Sequence, residues 1–308
     1  MNSARRWTQG LAALAGLAST IALQAASPSP SRVLPIALCA MPSAAPQPLS
    51  ARTAGFTLKG NLTQGGVVIG IAPAGSISLT FESDAVPIAS DGSFLIGFDR
   101  DSAPCATLSA ILVDGRTTTK VLTIAPRQWH ISRLATLPKY PVPPAQFDKI
   151  RPGEIAQINA ARRLQNEVHG WQQPFLWPAT GPISTLFGSQ RIYKDGEAGS
   201  YHSGIDVAVP QGTPVLAPAD GVVVLASDHP FLLEGNLLVI DHGVGLNSAF
   251  LHLSRIVATR GQFVKRGQVI AYSGMTGRVT GPHLHWSLRW RNSELDPLLV
   301  AGPMLRRR

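Results

Sequence analysis

Gly281-Pro282-His283-Leu284-His285-Trp286 is a short run in which polar and apolar side chains alternate. On a β-strand, side chains two apart share a face. His283 and His285 therefore point together, and Leu284 and Trp286 point to the opposite layer. Two imidazoles on one strand face are poor core filler, so the reading is a strand that buries its apolar side and keeps its histidine side for chemistry. Its neighbours read the same way. Val222–Leu225, Leu237–Ile240, Val269–Ala271 and Leu284–Leu288 are short apolar strands, punctuated by turns at Asp220-Gly221, His242-Gly243 and Gly274 to Gly277. Residues 175–300 are expected to form a compact two-layer antiparallel β-domain.

Two further spans of this domain carry groups of the same chemical type. In Tyr201-His202-Ser203-Gly204-Ile205-Asp206, His and Asp stand four apart. That spacing suits one helix face, but Gly204 and the following Val207-Ala208-Val209-Pro210 favour a loop entering a strand. In Phe250-Leu251-His252-Leu253 the histidine sits within an apolar alternation, where a satisfied core histidine is the plain alternative. His242, just after a strand, and His229, beside Pro230, read as turn and loop residues, and His130 and His169 lie outside the domain. His202, Asp206, His252, His283 and His285 together offer five metal-competent side chains. A catalytic zinc takes three protein ligands and leaves one position open. Two groups then remain as base and oxyanion stabiliser, which fits metal-assisted hydrolysis of a carbonyl compound. The spacing alone does not say which three bind.

Outside this domain the chain is organised simply. Residues 54–137 carry strand and turn signals: Phe56 to Leu58, Val67 to Ile71, Ile77 to Phe81, Phe94 to Ile96, and a hairpin in which Asp114-Gly115 joins Leu108–Val113 to Val121–Ile124. This is a small β-sandwich without clustered catalytic residue types. Residues 138–174 are a linker and helix. Pro138 to Pro144 breaks regular structure, and Pro152 to His169 reads as a helix with Ile155, Ile158, Ala161, Leu164 and Val168 as its apolar stripe and Arg162 and Arg163 in solvent. Residues 1–26 have the order of a signal peptide: Arg5 and Arg6, an apolar run from Leu11 to Leu23, then small residues at Ala25 and Ala26. The run falls short of the roughly 20 residues that span a bilayer, which disfavours a retained anchor. Residues 27–53 form a Pro/Ala/Ser-rich disordered segment, and residues 301–308 a basic tail. The two cysteines, Cys39 and Cys105, can pair in an oxidising compartment.

Composition agrees with an all-β chain. Of 308 residues only 15% are charged, and there are 29 Gly and 25 Pro, which argues against coiled coils and long solvated helices. The net charge of +9 suits an anionic partner. Nucleic acid is the plain alternative, but no nucleic-acid motif is present and an export signal removes the chain from DNA. A lipoyl or biotinyl carrier domain would need a lysine at a hairpin tip, where this chain has Met275 and Thr276.

The segment from Phe175 to Val300, about 125 residues, closely resembles the M23 family of zinc metallopeptidases, the lysostaphin-like or LytM-type peptidases. The matching pieces are His202-Ser-Gly-Ile-Asp206, Phe250-Leu-His252-Leu and His283-Leu-His285. Phe187-Gly188, Pro214 to Gly221 and Gly261 to Gly267 support them. The resemblance implies that His202, Asp206 and His285 hold one Zn2+ per chain and that His252 and His283 are the non-ligand catalytic histidines. It implies a zinc-dependent endopeptidase that hydrolyses peptide cross-links in peptidoglycan through a zinc-activated water, in a Gram-negative host at the D-alanyl to diaminopimelate link. A periplasmic location follows from the same family and the export signal. Association with the cell wall or a membrane surface, and the oligomeric state, are left open. The alternative is a LytM-type non-catalytic activator of cell-wall amidases, although such relatives lack zinc ligands and all of them stand here.

Overall fold

The computed structural model describes residues 55–133, 143–192 and 198–304. The expected signal peptide, the Pro/Ala/Ser-rich segment with Cys39, and the arginines at 306–308 lie outside these residues. So does most of the Pro138 to Pro144 stretch.

The N-terminal region is built from β1 (Thr57–Gly60), β2 (Val67–Ile71), β3 (Ser76–Phe81), β4 (Asp84–Ala85), β5 (Ser93–Gly97), β6 (Cys105–Leu112), β7 (Thr117–Thr123) and β8 (Ile131–Arg133). Three of these form the sheet β1-β2-β5 and four form β4-β3-β6-β7. The alternation along β6 is regular: Ala106, Leu108 and Ala110 are buried and the residues between them are not. These side chains join Leu58, Val68, Phe94 and Ile96 of the other sheet in one core, which makes the region a sandwich. The hairpin at Asp114-Gly115 forms where the sequence places it, with Ile111 opposite Thr117.

The connecting helix, α1, runs from Pro144 to Arg162. It starts earlier and ends earlier than the apolar pattern suggests, and Pro152 sits inside it rather than in its first turn. The buried stripe is Glu154, Ile158 and Ala161, whereas Ile155 and Leu164 are exposed. Arg162 is not in solvent: its guanidinium faces Glu294 at 3.9 Å, and burial lowers its pKa.

The remaining strands are β9 (Ile183–Thr185), β10 (Gln190–Ile192), β11 (Gly204–Val207), β12 (Pro214–Leu216), β13 (Gly221–Ala226), β14 (Asn236–Asp241), β15 (Leu246–Leu253), β16 (Arg255–Ile256), β17 (Phe263–Val264), β18 (Val269–Tyr272), β19 (Leu284–Trp290) and β20 (Ser293–Leu295), followed by a short helix, α2 (Pro297–Ala301). They form an 8-stranded antiparallel sheet, β17-β13-β14-β15-β19-β11-β9 with β20 on β19, and a 3-stranded sheet, β12-β18-β16. Between the two lies a core containing Val215, Ala271, Ile205, Val207, Phe250, Leu284, Trp286 and Leu288. Because Leu284, Trp286 and Leu288 fill that core, His285, Ser287 and Arg289 are turned to the other face of the large sheet. Helix α1 packs on that outer face, where Ile158 and Ala161 meet Val224, Leu237, Val239 and Ala249.

Candidate metal centre

Strand register brings the site together. On β11 and β19, Asp206 stands opposite His285 and Gly204 opposite Ser287, so the carboxylate and the imidazole share the outer face. The close approach needs Gly204, since a Cβ there would lie 2.3 Å from the Trp286 carbonyl oxygen and 2.8 Å from His285 Nε2. His202 precedes β11 in a loop, as the glycine after it suggests.

The three donor atoms form a small triangle. His202 Nε2 lies 2.9 Å from Asp206 Oδ1, and His285 Nδ1 lies 2.9 Å from both. His202 Nδ1 donates to the Leu186 carbonyl oxygen, 3.2 Å away, which fixes the tautomer and leaves Nε2 with a lone pair. Three such atoms facing one point cannot satisfy one another with protons alone. The edges of a zinc tetrahedron with bonds of about 2.0–2.1 Å are ~3.3 Å, close to the triangle seen. The donor set therefore fits a divalent metal of zinc's size and ligand preference. Electrostatics favour the same state. Burial would raise the Asp206 pKa, but the facing imidazoles of His202 and His285 outweigh it and hold the carboxylate well below its usual range. Burial lowers His285, the form in which imidazole binds a metal.

His252 and His283 stand beside this triangle. The His252 ring lies 4.9 Å from that of His283 and 6.1 Å from that of His285, centre to centre. Strict alternation would send His252 inward with Phe250. Instead Phe250 pairs with Leu238 and Leu253 with Asn236, so β15 carries an extra residue. His252 takes φ 63° at this bulge, an uncommon backbone state for a residue other than glycine. The bulge re-aims the ring to the outer face. Its Nδ1 donates to the Thr276 carbonyl oxygen at 2.9 Å, and its backbone N–H to Glu234 at 2.8 Å. Burial, with the neighbouring histidines, pushes its pKa down to about 3, so the ring is neutral with Nε2 free to accept. His283 Nδ1 likewise donates to the Gly281 carbonyl, 2.9 Å away, and its Nε2 comes within 3.7 Å of Asp206 Oδ1.

The other histidines are elsewhere. His242 is fully buried, bonded through Nδ1 to the Asp220 carbonyl and through Nε2 to Ser248 Oγ, each at 2.8 Å. His229 pairs with Asp228 on the surface. What the sequence does not reveal are the orienting acceptors, because Leu186, Thr276 and Gly281 act through backbone oxygens that any residue would supply. Also hidden is a cavity of about 190 Å³ on the same sheet face, lined by Arg151, Arg162, Ser203, Glu234, Leu251 and Ser287 among others.

Residues 200–297 match the peptidase family M23. The chain is also 32% identical to the catalytic domain of the prophage-encoded M23 protein EnpA of Enterococcus faecalis, covering 41% of this chain and 96% of that one, with a TM-score of 0.34. The chain belongs to peptidase family M23. Among curated relatives, the peptidoglycan DD-endopeptidase ShyA of Vibrio cholerae serotype O1 is 44% identical over 122 residues, which is 40% of this chain and 28% of that protein. The chain thus spans little more than a quarter of that relative. The likeness to a crystal structure of an M23 peptidase from Pseudomonas aeruginosa reaches further: 26% identity, 79% of this chain, 96% of that one and a TM-score of 0.60. In this M23 chain all three members of the His-Asp-His cluster fall within the matched segment.

Proposed function

We propose that this chain is an exported zinc-dependent endopeptidase that hydrolyses peptide cross-links in the peptidoglycan of a Gram-negative periplasm. The observation that carries the reading is the triangle of His202 Nε2, Asp206 Oδ1 and His285 Nδ1 with two more imidazoles at its side. These three residues would hold the metal. When bound, zinc supplies Lewis acidity for a carbonyl and lowers the pKa of water toward about 7. The rest of the work falls to side chains. His252 and His283 each donate from Nδ1 to a carbonyl and turn Nε2 toward the site, where the pair divides two tasks: removing a proton from the attacking water, and stabilising charge on the carbonyl oxygen or returning a proton to the leaving nitrogen.

The relative ShyA, named a DD-endopeptidase, supports the D-alanyl to diaminopimelate bond as the target. The amidase-activator reading is disfavoured because the complete donor set has no use in it. Sacculi are incubated with zinc-loaded protein, and muropeptides are then released by a separate muramidase. The expected result is loss of cross-linked dimers with a matching gain of monomers. Unchanged dimers with zinc bound would point to the activator or to another peptide.

A further inference from the structure

The N-terminal sandwich touches the site through one loop, and the contacts are specific. Arg100, on the turn after β5, is buried, and its Nε donates to the Gly188 carbonyl oxygen at 3.0 Å. Its guanidinium lies 5.2 Å from the Trp129 ring centre and 5.0 Å from that of Tyr201. Trp129 in turn packs edge-on against Phe187, and Gly188 is pressed so close that a Cβ there would come within 2.2 Å of the Trp129 ring. Next in the chain, β8 pairs in parallel with β10, which fixes the far end of the same loop. Asp99 accepts from the Tyr201 hydroxyl at 3.3 Å and from the Glu294 backbone N–H at 2.9 Å.

What the loop holds is His202. Gly188 N–H donates to the His202 carbonyl at 2.8 Å, His202 N–H donates to the Ser189 carbonyl at 2.7 Å, and the Leu186 carbonyl receives the His202 Nδ1 proton. Leu186 to Ser189 thus grips the backbone and the ring of the one cluster member that is not on a strand. The grip itself is clamped from outside by Arg100 and Trp129. Groups that orient a metal-binding histidine typically change metal affinity by about 10- to 100-fold when lost.

We infer that the N-terminal sandwich is a positioning element for the metal centre, with Arg100 and Trp129 as positioning residues that set His202 through the 186–189 loop. The inference rests on the reading of His202 as a metal ligand. It gives the sandwich a task within the catalytic unit rather than that of a spacer, and it makes the first ligand depend on residues some 70 to 100 positions earlier in the chain.

The test compares Arg100→Met, Arg100→Lys and Leu122→Ala in the full chain. Leu122 is buried in β7, within the sandwich core, so its truncation loosens the sandwich without removing a group from the clamp. Zinc affinity is read by competition with a chromophoric chelator, and the geometry of the site by the visible spectrum of the cobalt-substituted protein. Arg100→Met is expected to weaken zinc binding 10- to 100-fold and to alter the cobalt spectrum. Arg100→Lys should recover part of the loss, and Leu122→Ala should lower the melting temperature while binding zinc within about twofold of wild type. Zinc affinity in Arg100→Met within twofold of wild type would overturn the inference, as would an equal loss in Leu122→Ala. Hydrogen exchange of the His202 and Gly188 amides in metal-free protein separates this from the metal reading. Arg100→Met should speed exchange there at least tenfold whether or not zinc binds to wild type, and unchanged exchange would refute the clamp on its own.

Discussion

His202 can offer Nε2 to Asp206 and His285 because its other nitrogen is committed to a carbonyl. Removing it leaves two donors and an open, weak site. His202→Ala is therefore expected to lose zinc on dialysis, and metal analysis against wild type checks this. His252→Ala and His283→Ala remove no donor of the triangle, so they should retain the metal and lose activity by about 100-fold or more. A fully active His283→Ala would break the proposed division of labour. His242 gives a different kind of test. Burial pushes its pKa down to about 4 from an ordinary 6.5. Below pH 6.5 the unfolded chain takes up a proton that the folded chain refuses, so stability falls as pH drops from about 6.5 to 4, by about 3 kcal/mol at most. Urea unfolding across that window should show a steeper pH slope for wild type than for His242→Gln. Of the five candidate side chains, the register of His283 and His285 and the loop setting of His202 were legible from strand period and glycine. The outward turn of His252 was not, because a bulge is set by pairing with β14, and nothing in Phe250-Leu251-His252-Leu253 distinguishes it from plain alternation.

At the scale of elements, strands were easier to read than the helix. β6 follows period two with little interference: Ala106, Leu108, Ala110 and Leu112 are buried and the residues between them are not. α1 misleads because its buried stripe is not wholly apolar. Glu154 occupies the core-facing position that a search for Ile and Leu passes over, and it is tolerated there because it accepts from Leu232 N–H at 2.7 Å and from Arg151 at 2.9 Å. Arg151 also makes two bonds of 2.6 Å to Glu234, whose carbonyl oxygen receives the His252 backbone N–H. The helix is thus latched to the loop that shapes the bulge. Arg151→Ala would strand two largely buried carboxylates, at a cost of about 3 kcal/mol. Replacing Arg151, Glu154 and Glu234 together by Met, Gln and Gln should recover part of that loss, because no uncompensated charge is left. Denaturant midpoints of the two variants measure the difference; a larger loss in the triple variant would show that the side chains pack rather than pair.

Across the whole molecule, the His-Asp-His cluster lies on the same face of the large sheet as helix α1. The chain as a whole carries a net charge of +9. A positive field raises the local concentration of a polyanion and so speeds encounter, whereas it does little for a small soluble peptide once bound. Salt separates the two, since the screening length is about 10 Å at 0.1 M and shrinks as salt is added. Raising ionic strength from about 0.05 to 0.3 M should slow digestion of intact sacculi several-fold while changing hydrolysis of an isolated cross-linked dimer by less than about twofold. Both rates are measured by dimer loss with the zinc content held constant. If the two substrates respond alike, salt is acting inside the site, through Asp206 or the cavity arginines, and the net charge has no part in bringing the protein to the wall.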